Sequence, residues 1–309
     1  MEKEIIKIAV HSGSFHADDV TAYAILNKIF PDNELIRSRD QKELESCAFR
    51  LDVGLKFNNE TDFDHHQREF TEQRPDHDHI KYASAGLVWR KFAEQYIKTE
   101  APQATNEQIL KIKEYIDYNF IRYVDANDNG ITLFSEEIPS FSKIVYLYNF
   151  KYGFIGNRGF RQCATTSGDI IDGFIITRLK YFEAEKVVLE SIKDKEDQPI
   201  MLLENKVGFQ EVVKNNWDLF SKIMVAVYPD TNGHSWRIQS LAGDPCDRFK
   251  NRCRAPKLWR GLQGEDLCKV ADLTGAEFVH SSGFTGGAQD KESALKMAER
   301  WYKESPGDN

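Results

Sequence analysis

The sequence predicts an α/β protein, with a mostly parallel sheet in an N-terminal domain and a smaller α/β domain after it. Short apolar runs alternate with helical stretches from the first residues onward, a pattern that favours parallel strands joined by crossover helices. The length, 309 residues, is about twice the ~150 residues of an ordinary domain. Residues 193–199 (KDKEDQP) are charged and end in proline, which marks a boundary between domains at 1–192 and 200–309.

The elements follow in order. Residues 5–10 form a short apolar run that fits a buried strand. Residues 18–30 have helical character and stop before Pro31. Residues 35–37 and 49–53 read as further strands, with one or two helical turns at 41–47 between them. Residues 84–97 and 106–124 read as long helices, the second capped by Thr105 or Asn106. A further helix covers 167–191. Beyond the boundary, 200–204, 223–228 and 236–241 read as strands, and 264–273 and 290–302 as helices. A short strand at 277–280 leads into a glycine-rich turn that precedes the last helix.

Hydrophobic residues make up 41% and charged residues 29% of the chain, which excludes a disordered class. No run approaches ~18 apolar residues, so no membrane span is expected. The first five residues, MEKEI, lack the apolar core of a signal peptide and are too acidic for a transit peptide. The five cysteines, Cys47, Cys163, Cys246, Cys253 and Cys268, include no CxxC pair. A zinc ribbon or disulfide scaffold is therefore not expected, and free thiols in the cytoplasm are. A net charge of -8 argues against non-specific coating of nucleic acid but permits a local basic groove.

Four elements carry the chemistry. The first, HSGSFHADD, places His11, His16, Asp18 and Asp19 between a strand and a helix, where parallel sheets bind ligands. Imidazoles and carboxylates this close can supply metal donors from one turn, although the aspartates would also suit a helix N-terminus. The second is Asp52, at the end of the apolar strand LDVG. An Asp before Gly is also common in turns. The third is FDHHQ, in which His65 and His66 follow Asp64. One imidazole can ligate, a carboxylate can fix a ring, and the other imidazole can donate to a phosphate oxygen. The fourth is VDANDNG, with Asp125 near a helix end. It suggests a calcium loop but lacks the EF-hand spacing. Oxygen and nitrogen donors from separate strand and helix ends suit Mn²⁺ or Mg²⁺ better than a cysteine-rich zinc site. Two such ions ~3.5–4 Å apart can hold a bridging hydroxide and a phosphate's oxygens.

In this order the elements resemble the DHH phosphoesterase superfamily and, within that likeness, the MYG1 family. The similar pieces are HSGSFHADD, RSRD, LDVG, FDHHQ, SAGLVW, WRIQ, WRGL and FVHSSGFTGG, and they span nearly the whole chain. The resemblance implies a DHH-like catalytic domain with a C-terminal substrate domain, and two divalent ions, manganese first and magnesium as the alternative. It also implies hydrolysis of phosphodiesters, with a 3′-to-5′ exonuclease role on RNA. By position, His11, Asp18, Asp52, His65 and Asp125 match metal-binding residues. Asp52 would bridge the ions, and His66 would face the phosphate. The superfamily's first motif reads His-x-x-x-Asp-x-Asp. Here His16 stands where the first Asp would be and His11 is five residues earlier, so His16 joins the expected ligands. Arg39, in RSRD, is counted with the substrate-binding residues.

Residues 247–260, DRFKNRCRAPKLWR, form a basic island with Arg248, Lys250, Arg252, Arg254, Lys257 and Arg260, interleaved with Phe249 and Trp259. Such residues can track phosphates and stack on bases, or form a solvated loop with Trp259 in the core. The turn carrying His280, Gly283, Gly286 and Gly287 could cradle a phosphate on its backbone N–H groups. The expected partner is RNA, short single-stranded nucleic acid or a nucleotide, with a homo-oligomer left open. The alternatives are a small-nucleotide phosphatase or phosphodiesterase, and a binding protein without catalysis. No HExxH motif supports a protease.

Overall fold

The computed structural model describes residues 5–75, 77–131, 133, 140–154, 156–195, 197–247 and 250–305. They divide into two compact units, Met1–Leu179 and Lys180–Asn309. Arg248 and Phe249 of the basic island lie outside the described residues. Among the described residues no helix is long and apolar enough to cross a membrane.

The first unit opens with β1 (Ile6–Val10), α1 (Ala17–Ile29), β2 (Asn33–Arg37), α2 (Gln41–Glu45), β3 (Phe49–Leu51) and β4 (Asp62–Phe63). The four strands form one sheet in the order β2-β1-β3-β4, and every neighbouring pair is parallel. This is the expected sheet, because short β-branched runs separated by helices can pair only through crossovers. All residues of α1 from Ala17 to Leu26 are buried, which explains why its sequence shows no polar stripe.

A short hairpin follows, β5 (Gln73–Arg74) and β6 (His77–Lys81). After it come α3 (Ser84–Glu100) and α4 (Asn106–Ile116), a π-helical turn at Asp117–Ile121, then α5 (Arg122–Asp128), α6 (Phe141–Tyr152) and α7 (Arg158–Ile192). Thr105 caps α4 as expected: its hydroxyl accepts from the Gln108 N–H at 3.2 Å, and the Gln108 side chain accepts from the Thr105 N–H at 3.0 Å. The hairpin and α6 have no counterpart among the expected elements.

The second unit contains β7 (Ile200–Leu202), α8 (Phe209–Asn215), β8 (Val225–Pro229), β9 (Trp236–Ser240), α9 (Gly264–Ala271), β10 (Ala276–Val279), β11 (Thr285–Ala288) and α10 (Lys291–Glu304). Its sheet runs β10-β11-β9-β8-β7. Only β7 and β8 are parallel, and the other pairs are antiparallel. Val225 and Val227 pack on one face with Met297 and Trp301 of α10, and Ala226 packs on the other with α8.

Ala184, Val188 and Ile192, in the last turns of α7, are buried in that second core. For this reason the division falls between Leu179 and Lys180 rather than in the charged segment 193–199. The glycine-rich stretch also differs from expectation. Gly286 and Gly287 lie within β11, not in a turn before a helix. Close packing accounts for both: a Cβ on Gly286 would lie 2.8 Å from the Phe278 carbonyl oxygen, and one on Gly287 2.7 Å from the Phe278 ring.

Candidate metal centre

The site assembles at the carboxyl ends of the first unit's strands. His11 directly follows β1, Asp52 directly follows β3, and His65 and His66 lie just beyond β4. Register therefore brings together residues that are far apart in sequence. Asp52 is buried, and its backbone is left-handed at φ 54°. Its Oδ2 lies 3.4 Å from His11 Nε2, and its Oδ1 lies 3.6 Å from His65 Nε2 and 3.2 Å from His66 Nδ1. Burial alone would raise the Asp52 carboxyl, but these three imidazoles hold it well below the usual carboxylate range.

The two aspartates of the first motif have different tasks. Asp18 accepts from the N–H groups of Ser84 at 3.0 Å and Ala85 at 2.6 Å. The positive end of α3 thus faces a fully buried carboxylate. Asp19 Oδ1 accepts from the N–H groups of His16 at 2.7 Å and Val20 at 2.9 Å. Its Oδ2 faces His11 Nε2 at 3.3 Å. Burial lifts the Asp19 carboxyl to about 7.

His65 Nε2 lies 3.0 Å from Asp128 Oδ2 and 3.9 Å from Asp18 Oδ2. Burial disfavours its charged form, yet Asp128 and Asp52 outweigh that and raise it to about 11. His66 is raised to about 10 by Asp52 and Asp64. Asp64 fixes that ring, with its Oδ1 3.0 Å from both His66 Nδ1 and the His66 backbone nitrogen. Without metal, protons on these imidazoles balance the carboxylates, and a cation would take over that balance.

Among the described residues, three overlapping groups present ligand atoms within 4.8 Å of one another: His11, His16 and Asp52; Asp52, His65 and His66; and Asp18, His65 and Asp128. Asp19 Oδ2, Asp52 Oδ1 and His65 Nε2 are buried, and the polar atoms that face them belong to the cluster's own histidines and carboxylates. Buried ionisable groups concentrated at one point are costly unless protons or a cation balance their charge. The nitrogen and oxygen donors suit hard or borderline divalent ions. The residues present therefore fit a metal centre.

Of the expected ligands, His11, His16, Asp18, Asp52 and His65 come together, and His66 joins them. Asp125 does not. Its Oδ2 accepts from Arg74 Nη2 at 2.7 Å and its Oδ1 from the Gly86 N–H at 3.0 Å. Asp128, three residues later, faces His65 in its place. Arg39 lines the same cavity of about 820 Å³, together with His11, His16, Asp52 and His66.

Sequence reading also missed Asn149 of α6. Its side chain accepts from the Phe15 N–H at 3.0 Å and donates to the Phe15 carbonyl at 2.7 Å, clamping the loop between His11 and His16. No local signal marks Asn149, because its partner lies 134 residues away.

The expected substrate residues of the second unit are described within that unit. Arg252 donates to the Ile223 carbonyl at 2.7 Å, to the Ala242 carbonyl at 2.9 Å and also to the Phe220 carbonyl. It serves the fold and is not free to track phosphates. Trp259 is buried in the core beneath Arg300, so it cannot stack on a base. Arg254 lines a cavity of about 1090 Å³ with Trp217 and Phe284. His280 is exposed and its Nδ1 lies 2.7 Å from Ser282 Oγ. Gly283 is left-handed at φ 71° in the same turn.

Comparison with known proteins finds relatives over nearly the whole chain. A profile labelled as a MYG1 exonuclease family, and described as an uncharacterised protein family (UPF0160), matches residues 7–301. The MYG1 protein of Schizosaccharomyces pombe is 31% identical over 96% of this chain and 97% of its own. The MYG1 exonuclease of Homo sapiens is 28% identical over 94% of this chain and 84% of its own. Among solved structures, RecJ from Thermus thermophilus in complex with Mn²⁺ is 14% identical with a TM-score of 0.29. The match covers 97% of this chain and 52% of that one, so this chain spans about half of RecJ.

Proposed function

The chain belongs to the MYG1 family, and from that membership we propose that it is a metal-dependent phosphodiester hydrolase, a 3′-to-5′ exonuclease acting on RNA or short single-stranded nucleic acid. The observation that supports this reading most is the convergence of Asp52 with His11, His65 and His66 in one buried cluster of ionisable groups, beside an open cavity. His11, His16 and Asp52 would hold one cation, and Asp18, His65 and Asp128 a second, with Asp52 shared. Divalent cations, manganese first and magnesium as the alternative, would supply Lewis acidity to the phosphate and lower the pKa of water.

The chain's own groups do the rest. Asp64 and Asp52 engage His66 Nδ1, which leaves Nε2 to donate to a phosphoryl oxygen. Arg39, on the cavity wall, meets the negative charge of the incoming phosphate. Asn149 and the start of α3 keep the ligand loop from moving.

The test is metal content of the purified protein together with the products from RNA labelled at the 5′ end. The expected result is bound divalent metal and a ladder that shortens from the 3′ end. Absence of both metal and cleavage would overturn the proposal. One observation favours a second reading, a phosphodiesterase for small nucleotides. Arg252 and Trp259 are locked into the second unit's fold, which removes much of the expected strand-binding track. Faster turnover of a dinucleotide than of a long strand would favour that reading.

A further inference from the structure

We infer that α6 and the turn that follows it are a stacking platform for unpaired nucleobases, with Tyr146, Phe150 and Phe154 receiving the bases of a strand whose phosphate lies at the metal cluster. The inference rests on the nucleic-acid reading above.

Only Val145 and Asn149 of α6 are buried. Tyr146 is 53% exposed, Phe150 63% and Phe154 43%, far from the burial expected of large aromatic side chains. Helical spacing of four residues puts Tyr146 and Phe150 side by side, and Phe154, just beyond the end of α6, continues the row. Centroids lie 5.0 Å apart for Tyr146 and Phe150, and 5.7 Å for Phe150 and Phe154. All three rings line the cavity that contains Asp52 and His66. The row is thus continuous with the candidate centre.

Charge points to the occupant. Lys143 lies 5.2 Å from the Tyr146 ring, and Lys151 lies 5.0 Å from the Tyr152 ring. Aromatic faces with interleaved cations suit bases and the phosphates that join them. A second copy of the chain seated on this face about a two-fold axis would bring the same lysines towards each other. The clamp between Asn149 and Phe15 ties the platform to the ligand loop, so a base stacked on it is held at a fixed distance from the cluster.

The test uses the full chain with its metal and a single-stranded RNA whose linkages are phosphorothioate. It compares that strand with the same strand lacking bases over its 3′ segment. Phe150→Ala should weaken binding of the base-bearing strand about tenfold and leave the abasic strand's affinity in place. Phe150→Trp should restore the difference. Equal loss for both strands, or no loss for either, overturns the platform while leaving hydrolysis intact. Conversion of a dimer to a monomer by Phe150→Ala in sedimentation would assign the face to a second copy, and also overturns it. Failure of the unaltered protein to bind or cleave any strand would instead sink the nucleic-acid reading, and the platform with it.

Discussion

Asp52 holds a left-handed backbone at φ 54°, which costs a non-glycine residue about 1 kcal/mol or more. The surrounding imidazoles keep it there. Asn tolerates the same conformation, so Asp52→Asn should fold normally. A neutral amide cannot serve two cations, and turnover should fall by more than about a hundredfold. Near-wild-type hydrolysis with an unchanged circular dichroism spectrum would remove Asp52 from the centre. His65 and His66 should separate in the same way. His65 is nearly buried among Asp18, Asp52 and Asp128, with 8% of its side chain exposed, whereas the His66 side chain is 55% exposed. His65→Ala should lower metal occupancy, and His66→Ala should spare occupancy while lowering kcat about a hundredfold. Equal metal loss in both variants would contradict that division. Asp125 and Asp128 show how far sequence alone could resolve the site. Three residues apart near one helix end, they look alike on paper. Arg74 distinguishes them, and its pairing with Asp125 spans 51 residues. Asp128→Asn should cost metal. Asp125→Asn should mainly cost stability, about 3 kcal/mol, by leaving a buried arginine short of its partner. Metal titration and urea melts of the two variants check the assignment.

The start of α3 acts as an element in its own right. Its N–H groups meet Asp18 at Ser84 and Ala85 and Asp125 at Gly86, so one helix end serves two buried acids. Gly86 is required by space: an added Cβ would sit 2.0 Å from Asp125 Oδ2. Gly86→Ala should therefore destabilise the protein by about 3 kcal/mol, and a thermal melt indistinguishable from wild type would refute the packing argument. Helices with apolar periodicity, such as α3 and α4, could be read from sequence. The sequence of α6, FSKIVYLYNFKY, could not, because its aromatic residues also face solvent and erase the stripe. The basic island misled for the opposite reason. Arg252 looks solvent-bound by composition, yet it ties together three carbonyls from two separate loops. Arg252→Ala should lower stability by about 2–3 kcal/mol with no change in the salt dependence of RNA binding, as measured by melts and by affinity at several ionic strengths.

At the scale of the molecule, every proposed ligand belongs to the first unit. Saturating Mn²⁺ at about 100 times its Kd should stabilise that unit by ~2.7 kcal/mol, which is roughly 5–10 °C for a domain of its size. A chelator should reverse the shift. A calorimetric transition that ignores both would count against a metal centre. The first unit's parallel sheet was legible because strand and helix patterns alternate with little interruption. The second unit's antiparallel order was not, since the register that pairs its strands is set by contacts distant in sequence. The clamp between Phe15 and Asn149 also orders events during synthesis. At roughly 5–20 residues per second, the 134 residues between the two partners take about 7–27 s to make. The loop carrying His11 and His16 leaves the ribosome before α6 does, and it waits through that interval for the amide that fixes it. A growing chain that has not reached residue 149 can collect its histidines and aspartates but cannot hold that loop in place.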